Sequence, residues 1–339
     1  MFKLKILLLT IIIGTFVWTN FAQNNDDVIK IDTALVNLPV IVSDRDGRYI
    51  SGLKQEDFSV FQDGEKQKIE IFASEESPIN VAILLDTSRS TQDVLGKIRK
   101  AAKEFIKNMR PEDKAMIVSF DDNVEILSQL TSDKKVLKNA IEDAKIGDYV
   151  GTVLNDAVYN VVKNQFAKIK GRKAIILLTD GKDHGSYVNQ RELLYQMQES
   201  DTMIYSIYYE TGDNFRQIRQ NRFPNDDFPF PNRRRRFPDN FPRQRPNNER
   251  KRQRIEENNE QAIQFLQNLA DTTAGRFYKK DVTDLEEAFQ AIAEELRKQY
   301  LIGYYPETND DKIHQVKVKV NRENAVIRAK TSYRLKKNQ

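Results

Sequence analysis

Two stretches of this chain, Val81–Leu85 and Ala174–Leu178, are apolar at every position. A strand with one wet face alternates apolar and polar residues, so an unbroken apolar run needs cover on both faces. Helical patterns supply that cover. After the first run, Val94, Ile98, Ala102, Phe105 and Met109 fall on one stripe, with Lys and Glu opposite and Pro111 beyond the end. Leu154, Ala157, Val158 and Val161 repeat the spacing within Thr152–Phe166. Leu193, Leu194 and Met197 mark another helix, and Met203–Tyr208 another strand. Ala115–Phe120 and Val124–Leu130 flank Asp121-Asp122-Asn123 and read as a hairpin. Buried strands joined through helices by right-handed crossovers predict an α/β fold, a doubly wound, mostly parallel, Rossmann-like sheet over residues 80–305.

The two ends of the chain have a different pattern. Residues 28–75 read as strands with tight turns: Ala34–Val42, Phe58–Phe61 and Gln67–Phe72, with Asp46-Gly47 and Asp63-Gly64 between them. Pro39 argues for an edge strand or a bulge. After a helix with Leu285, Phe289, Ile292 and Leu296 on one face, Tyr300–Tyr305, Val316–Val320 and Ala325–Ala329 are strand-like again. Neither end has enough strands to persist alone in water. The expectation is one β-sandwich, with residues 28–75 as an immunoglobulin-like half, 306–336 completing it, and the α/β domain inserted between them.

Two further segments bear on where the protein works. Lys3 and Lys5, the apolar run Ile6–Val17 and Ala22 read as a signal peptide over residues 1–22. That run is shorter than the ~20 residues that span a bilayer. The expectation is an exported protein, periplasmic or extracellular, with an uncleaved N-terminal anchor as the alternative because Asn20 is not the small residue preferred there. There are no cysteines, which excludes disulfides, thiolate metal sites and a cysteine nucleophile. Residues 212–256 hold six of the ten prolines, and Asp213–Arg254 carry thirteen Lys or Arg against five acids. This composition predicts a disordered surface insert with an Arg233–Arg236 run.

Asp86-Thr87-Ser88-Arg89-Ser90 follows the first apolar run and opens a helix, in the pattern D-x-S-x-S. Gly151-Thr152 precedes a second helix, and the run at 174–178 ends in Thr179-Asp180-Gly181. In a doubly wound sheet these strand ends gather at one edge. Asp86, Ser88, Ser90, Thr152 and Asp180 together offer carboxylates and hydroxyls without sulfur or imidazole, the ligand set of a hard cation. A helix cap and an ordinary turn would explain Asp86, Ser88 and Asp180 alone, but not the third segment.

Residues 80–305 resemble a von Willebrand factor type A domain, whose metal-ion-dependent adhesion motif is matched at Asp86, Ser88, Ser90, Thr152 and Asp180. The resemblance implies a bound Mg2+, with Mn2+ or Ca2+ as substitutes, and a coordination position left for a carboxylate of the partner. Asp46-Gly47, Gly52-Leu53, Asp57–Phe61 and Asp63-Gly64 also resemble the leader of bacterial exported proteins that carry this domain. The insert at 212–256 departs from the family core.

The first strand leads into no glycine-rich phosphate loop, so a nucleotide-binding enzyme is disfavoured. Phosphatase-like sheets usually place a second carboxylate where Ser88 stands. The expectation is a non-enzymatic adhesion or protein–protein interaction protein that binds an exposed Asp or Glu of its partner through Mg2+. The alternative is a polyanion- or envelope-surface-binding protein acting through residues 212–256, with anionic contact at Arg233–Arg236. No nucleic acid is expected, since no base-reading signature accompanies the basic run. Asp183, His184, Asp121, Asp122 and His314 read as ordinary loop or strand residues.

Overall fold

A computed structural model describes residues 35–74, 76–211, 248–307 and 310–335. The signal peptide expected at 1–22, the start of the 28–75 segment and most of the Arg-rich insert lie outside the described residues.

The central sheet has six strands: β5 (Ile79–Asp86), β6 (Lys114–Phe120), β7 (Val124–Thr131), β8 (Arg172–Thr179), β9 (Met203–Tyr208) and β10 (Arg276–Lys279). Their order is β10-β9-β8-β5-β6-β7, and every pairing is parallel except the hairpin β6–β7. Alternate side chains of the apolar runs feed two separate cores. Val81, Ile83 and Leu85 pack under α1 (Leu95–Asn108), α2 (Lys134–Asp143) and α6 (Leu285–Arg297), against Ile98, Leu137 and Phe289. Ala82 and Leu84 pack under α3 (Leu154–Asn160), α4 (Gln190–Met197) and α5 (Asn248–Thr272), against Val158, Leu193 and Leu266. Each fully buried Leu or Ile is worth roughly 1.5–3 kcal/mol, so this two-sided cover is what the unbroken runs encode. The chain leaves β5 for β6 on one side and reaches β8 on the other. The topological switch therefore falls between the ends of β5 and β8.

The two chain ends form the β-sandwich, as expected. One sheet has the order β13-β1-β11-β4, built from β1 (Val36–Ser43), β4 (Ile71–Ala73), β11 (Tyr300–Tyr304) and β13 (Val326–Ala329). The other is β14-β12-β2-β3, from β2 (Phe58–Gln62), β3 (Glu65–Gln67), β12 (Ile313–Val320) and β14 (Ser332–Arg334). Leu38, Val40, Phe58, Val60, Ile302 and Val318 share its core. Along β12 the alternation is clean, with His314, Val316 and Val318 inside and Gln315, Lys317 and Lys319 outside.

Two boundaries and the place of one strand differ from the sequence reading. Tyr300–Tyr304 pairs with β1 and β4, so it belongs to the sandwich rather than to an α/β domain running to 305. Tyr300, Ile302 and Tyr304 turn into the sandwich core, where Phe58 and Tyr300 lie 5.3 Å apart between ring centroids. Second, α5 begins at Asn248, so the last residues of the 212–256 stretch are helical rather than disordered. Third, β1 is an interior strand, yet Pro39 is accommodated. Pairing with β13 covers only Val40–Ser43, so Pro39 stands just beyond that ladder, where no donor is needed.

The two domains are clasped at both crossings. Buried Arg172 donates to Leu296 O at 3.0 Å and Gln299 O at 2.9 Å, and also to Ser77 O, which ties together the chain entering and leaving the inserted domain. Glu295 on α6 is fully buried, accepts a hydrogen bond from Tyr49 at 3.0 Å and pairs with Arg276 and with Arg328 of β13.

Candidate metal centre

Asp86 ends β5, and the next residues fold tightly over it. Thr91 Oγ1 donates back to Asp86 O at 3.0 Å and to Ser88 O at 2.8 Å, closing a short 3-10 turn at Arg89–Thr91. That turn brings the Ser88 and Ser90 hydroxyls to 3.0 Å from each other. Asp86 itself is fully buried. Its Oδ1 accepts the Ser88 N–H at 3.0 Å, and its Oδ2 accepts the Thr179 hydroxyl at 2.6 Å, a bond that spans from β5 to β8.

Asp180 follows Thr179 and is 1% exposed. Its Oδ2 accepts from Lys182 Nζ and from the Thr211 hydroxyl, both at 3.0 Å. Burial first, and then the charge of Asp180, push the Asp86 carboxyl up to about 7. Tyr209 lies beside the pair, fully buried with its hydroxyl unpartnered. Burial and the charges of Asp86 and Asp180 hold its phenol well above the ordinary value.

Thr152 comes from the loop before α3. Its backbone pairs with His184, in the loop after Asp180, through hydrogen bonds of 3.2 and 2.8 Å. Its hydroxyl donates to Gly151 O at 2.8 Å. Glycines allow this loop to sit close to the end of β6. A Cβ on Gly151 would fall 2.8 Å from Asp122 Cβ, and one on Gly147 would fall 2.5 Å from Asp121 Oδ2.

The five residues singled out from the sequence thus divide in two. Asp86, Ser88, Ser90 and Asp180 are linked by direct hydrogen bonds, by Thr179 or by charge. Thr152 is brought to the same loop cluster through backbone pairing with His184.

Several residues here were not evident in the sequence. Thr179 fixes Asp86, and its only cue was a hydroxyl next to Asp180. Asp121, read as a turn residue, is largely buried. It accepts the Thr87 hydroxyl at 3.0 Å and gives its carbonyl to Val153 N–H at 2.7 Å, so it links three of the loops. Asp183 has a structural task, accepting the Asn155 N–H at 2.9 Å at the start of α3. His184 is exposed.

The donor set fits a hard divalent cation. Two buried carboxylates repel one another, with one partly exposed ammonium, Lys182, beside them. Water is largely excluded, so a cation would relieve that repulsion more effectively than it could at the surface. Among the described residues there is no group of three or more His, Asp or Glu side chains that could hold a metal. A cation held here would have two carboxylates, Asp86 and Asp180, and would need its remaining oxygens from hydroxyls.

The fold is a doubly wound α/β domain carried on a β-sandwich, with the candidate loops gathered at one edge of its sheet. Residues 80–226 match the family model described as von Willebrand factor type A domain. Among solved structures, an aerotolerance-related membrane protein from Bacteroides fragilis is 20% identical, with 65% of this chain and 99% of that one covered at a TM-score of 0.44. The vWF domain of the type V pili tip protein Mfa5 from Porphyromonas gingivalis is 14% identical over 64% of this chain and 94% of that one, with a TM-score of 0.41. Proximal thread matrix protein 1 from the mussel byssus, with a zinc-occupied MIDAS motif, is 15% identical over 70% of this chain and 50% of that one, with a TM-score of 0.47. The comparison with curated proteins gave no match.

Proposed function

We propose that the protein is a metal-dependent interaction or adhesion protein, non-enzymatic and exported. Asp86, Ser88, Ser90, Thr152 and Asp180 would hold a divalent cation, Mg2+ by preference, with Mn2+ or Ca2+ as substitutes. When bound, the cation supplies a Lewis-acidic position for a carboxylate of the partner. The observation that carries this reading is the pairing of buried Asp86 and Asp180 at the switch point of the sheet, beside the Ser88–Ser90 hydroxyl pair.

The chain's own residues do the rest. Thr179 and the Ser88 N–H hold both Asp86 oxygens, which fixes the carboxylate's orientation. Thr91 holds the serine turn against the end of β5. The Thr152–His184 pairing sets one loop against the other. A von Willebrand factor type A domain supports an interaction role, and the N-terminal sequence motivates export.

The partner's Asp or Glu is the group this site would select, because a hard divalent cation prefers anionic oxygen at a coordination position that the chain's own ligands leave to the partner. The reading is tested by loading the protein with Mn2+ and titrating in an Asp-containing peptide, with water-proton relaxation as the signal. The carboxylate should displace metal-bound water in the wild type, and neither Asp86→Ala nor a chelator-treated sample should respond. A response unaffected by chelator contradicts the reading.

A further inference from the structure

A cleft of about 670 Å3 opens at the opposite end of the α/β sheet, where the inserted domain meets the sandwich. Its size falls within the roughly 300–1,000 Å3 of small-molecule sites. One wall is the outer face of the β13-β1-β11-β4 sheet. Leu35, Ile71 and Leu301 line the cleft, and their chain neighbours Val36, Phe72 and Ile302 face or pack against the sandwich core. Tyr305, 48% exposed, extends this apolar wall. The facing wall is the turn at 167–171 that leads into β8, together with residues 198–201 before β9.

The polar groups of the cleft are unevenly matched. Lys173 pairs with Asp201 at 2.8 Å, and Arg334 pairs with Glu199, so the two carboxylates of the lining are answered. Lys168 and Lys170 on the facing turn are exposed, and neither has a carboxylate partner among the described residues. Arg334 Nε is a buried donor without a partner. The cleft thus carries an excess of positive charge opposite an apolar wall.

We infer that this cleft binds a small amphiphilic anion, an acyl carboxylate or alkyl phosphate, with its apolar body on Ile71, Leu301 and Tyr305 and its head between Lys168 and Lys170. A plain inorganic anion would leave the apolar wall uncovered, and a neutral lipid would leave the lysines unanswered. The site is at the amino ends of the parallel strands and shares no residue with the candidate metal centre, so the two stand or fall separately.

The test is calorimetric titration of the full chain with decanoate, decyl phosphate and decanol, all below micelle formation, in the presence of chelator. Both anions should bind saturably and at least about tenfold more tightly than decanol. The tighter of the two identifies the head group. Lys168→Glu with Lys170→Glu should weaken anion binding by at least about tenfold, and Ile71→Ser with Tyr305→Ser should weaken it too. All four positions are exposed, and the melting temperature checks that the variants fold. Decanol binding as tightly as the anions, unchanged affinity in the lysine variant, or no saturable binding overturns the inference.

Discussion

Lys330 lies in the turn between β13 and β14 and reaches into the other domain. Its Nζ donates to Met197 O and Gln198 O at 2.9 Å and to Ser200 O at 2.8 Å. These carbonyls lie at and just beyond the end of α4, where the backbone takes them up only in part: Met197 O also accepts the Ser200 N–H at 3.2 Å and Gln198 O the Arg334 N–H at 3.3 Å. The residue is 3% exposed. Lys330→Met keeps the apolar stem and removes the ammonium. Three hydrogen bonds from a charged donor contribute roughly 1.5–3 kcal/mol each. Against them stands burial, which pushes the amine from 10.5 down to about 7; at ~1.4 kcal/mol per unit this costs about 5 kcal/mol. The carbonyls work the other way, because only the ammonium form has a hydrogen for each of them. The expected net loss is about 2 kcal/mol, a fall of roughly 4–8 °C in melting temperature for a large domain. Scanning calorimetry near pH 6 reads the shift, and hydrogen exchange should show faster exchange around residues 197–202. An unchanged melting temperature with unchanged exchange there would refute the argument that Lys330 joins the domains.

Three other perturbations have expected outcomes. His314 Nδ1 and Nε2 each lie 2.7 Å from a carboxylate, Asp63 and Asp310; burial alone would lower its pKa, but the two partners outweigh it and raise it above 6.5. The stabilisation is therefore fully present below the unfolded value and lost as pH rises through the folded one, so the advantage of wild type over His314→Gln should shrink as pH rises above about 6.5 in denaturant titrations. Thr179→Val removes the 2.6 Å bond to Asp86 and should weaken divalent-ion affinity by about ten- to a hundredfold with little change in circular dichroism. Deleting residues 306–339 removes β12 from β2 and β13 from β1, so amides of Leu35–Val42 and Phe58–Phe61 should lose hydrogen-exchange protection; retained protection would mean the N-terminal strands are an independent unit.

The parallel sheet was legible because Val81–Leu85 and Ala174–Leu178 leave no wet face, and the sandwich because Val316, Val318 and the late strands alternate with period two. Tyr300–Tyr304 was harder to place. It follows α6 directly, so its position in the chain suggests the α/β domain, while its partners β1 and β4 are more than two hundred residues away. That the candidate residues Asp86, Ser88, Ser90 and Asp180 lie together was legible because strand ends collect at one edge. Thr179 and Asp121 were not, since their importance depends on which loops become neighbours. Burial of Asp121 follows from the close approach of Gly147, a tertiary contact without a local pattern. Lys330 was invisible for the same reason, because a lysine in a turn reads as solvated until three carbonyls are placed around it.

The most direct test of the cation reading is isothermal titration of the full chain with Mg2+ and Mn2+, beside Asp86→Ala and Asp180→Ala. The account predicts saturable one-site binding in the wild type, loss of it in both variants, and unchanged circular dichroism in all three. Wild-type affinity persisting in either variant, or no saturable binding in the wild type, would contradict the assignment of the site to Asp86, Ser88, Ser90, Thr152 and Asp180.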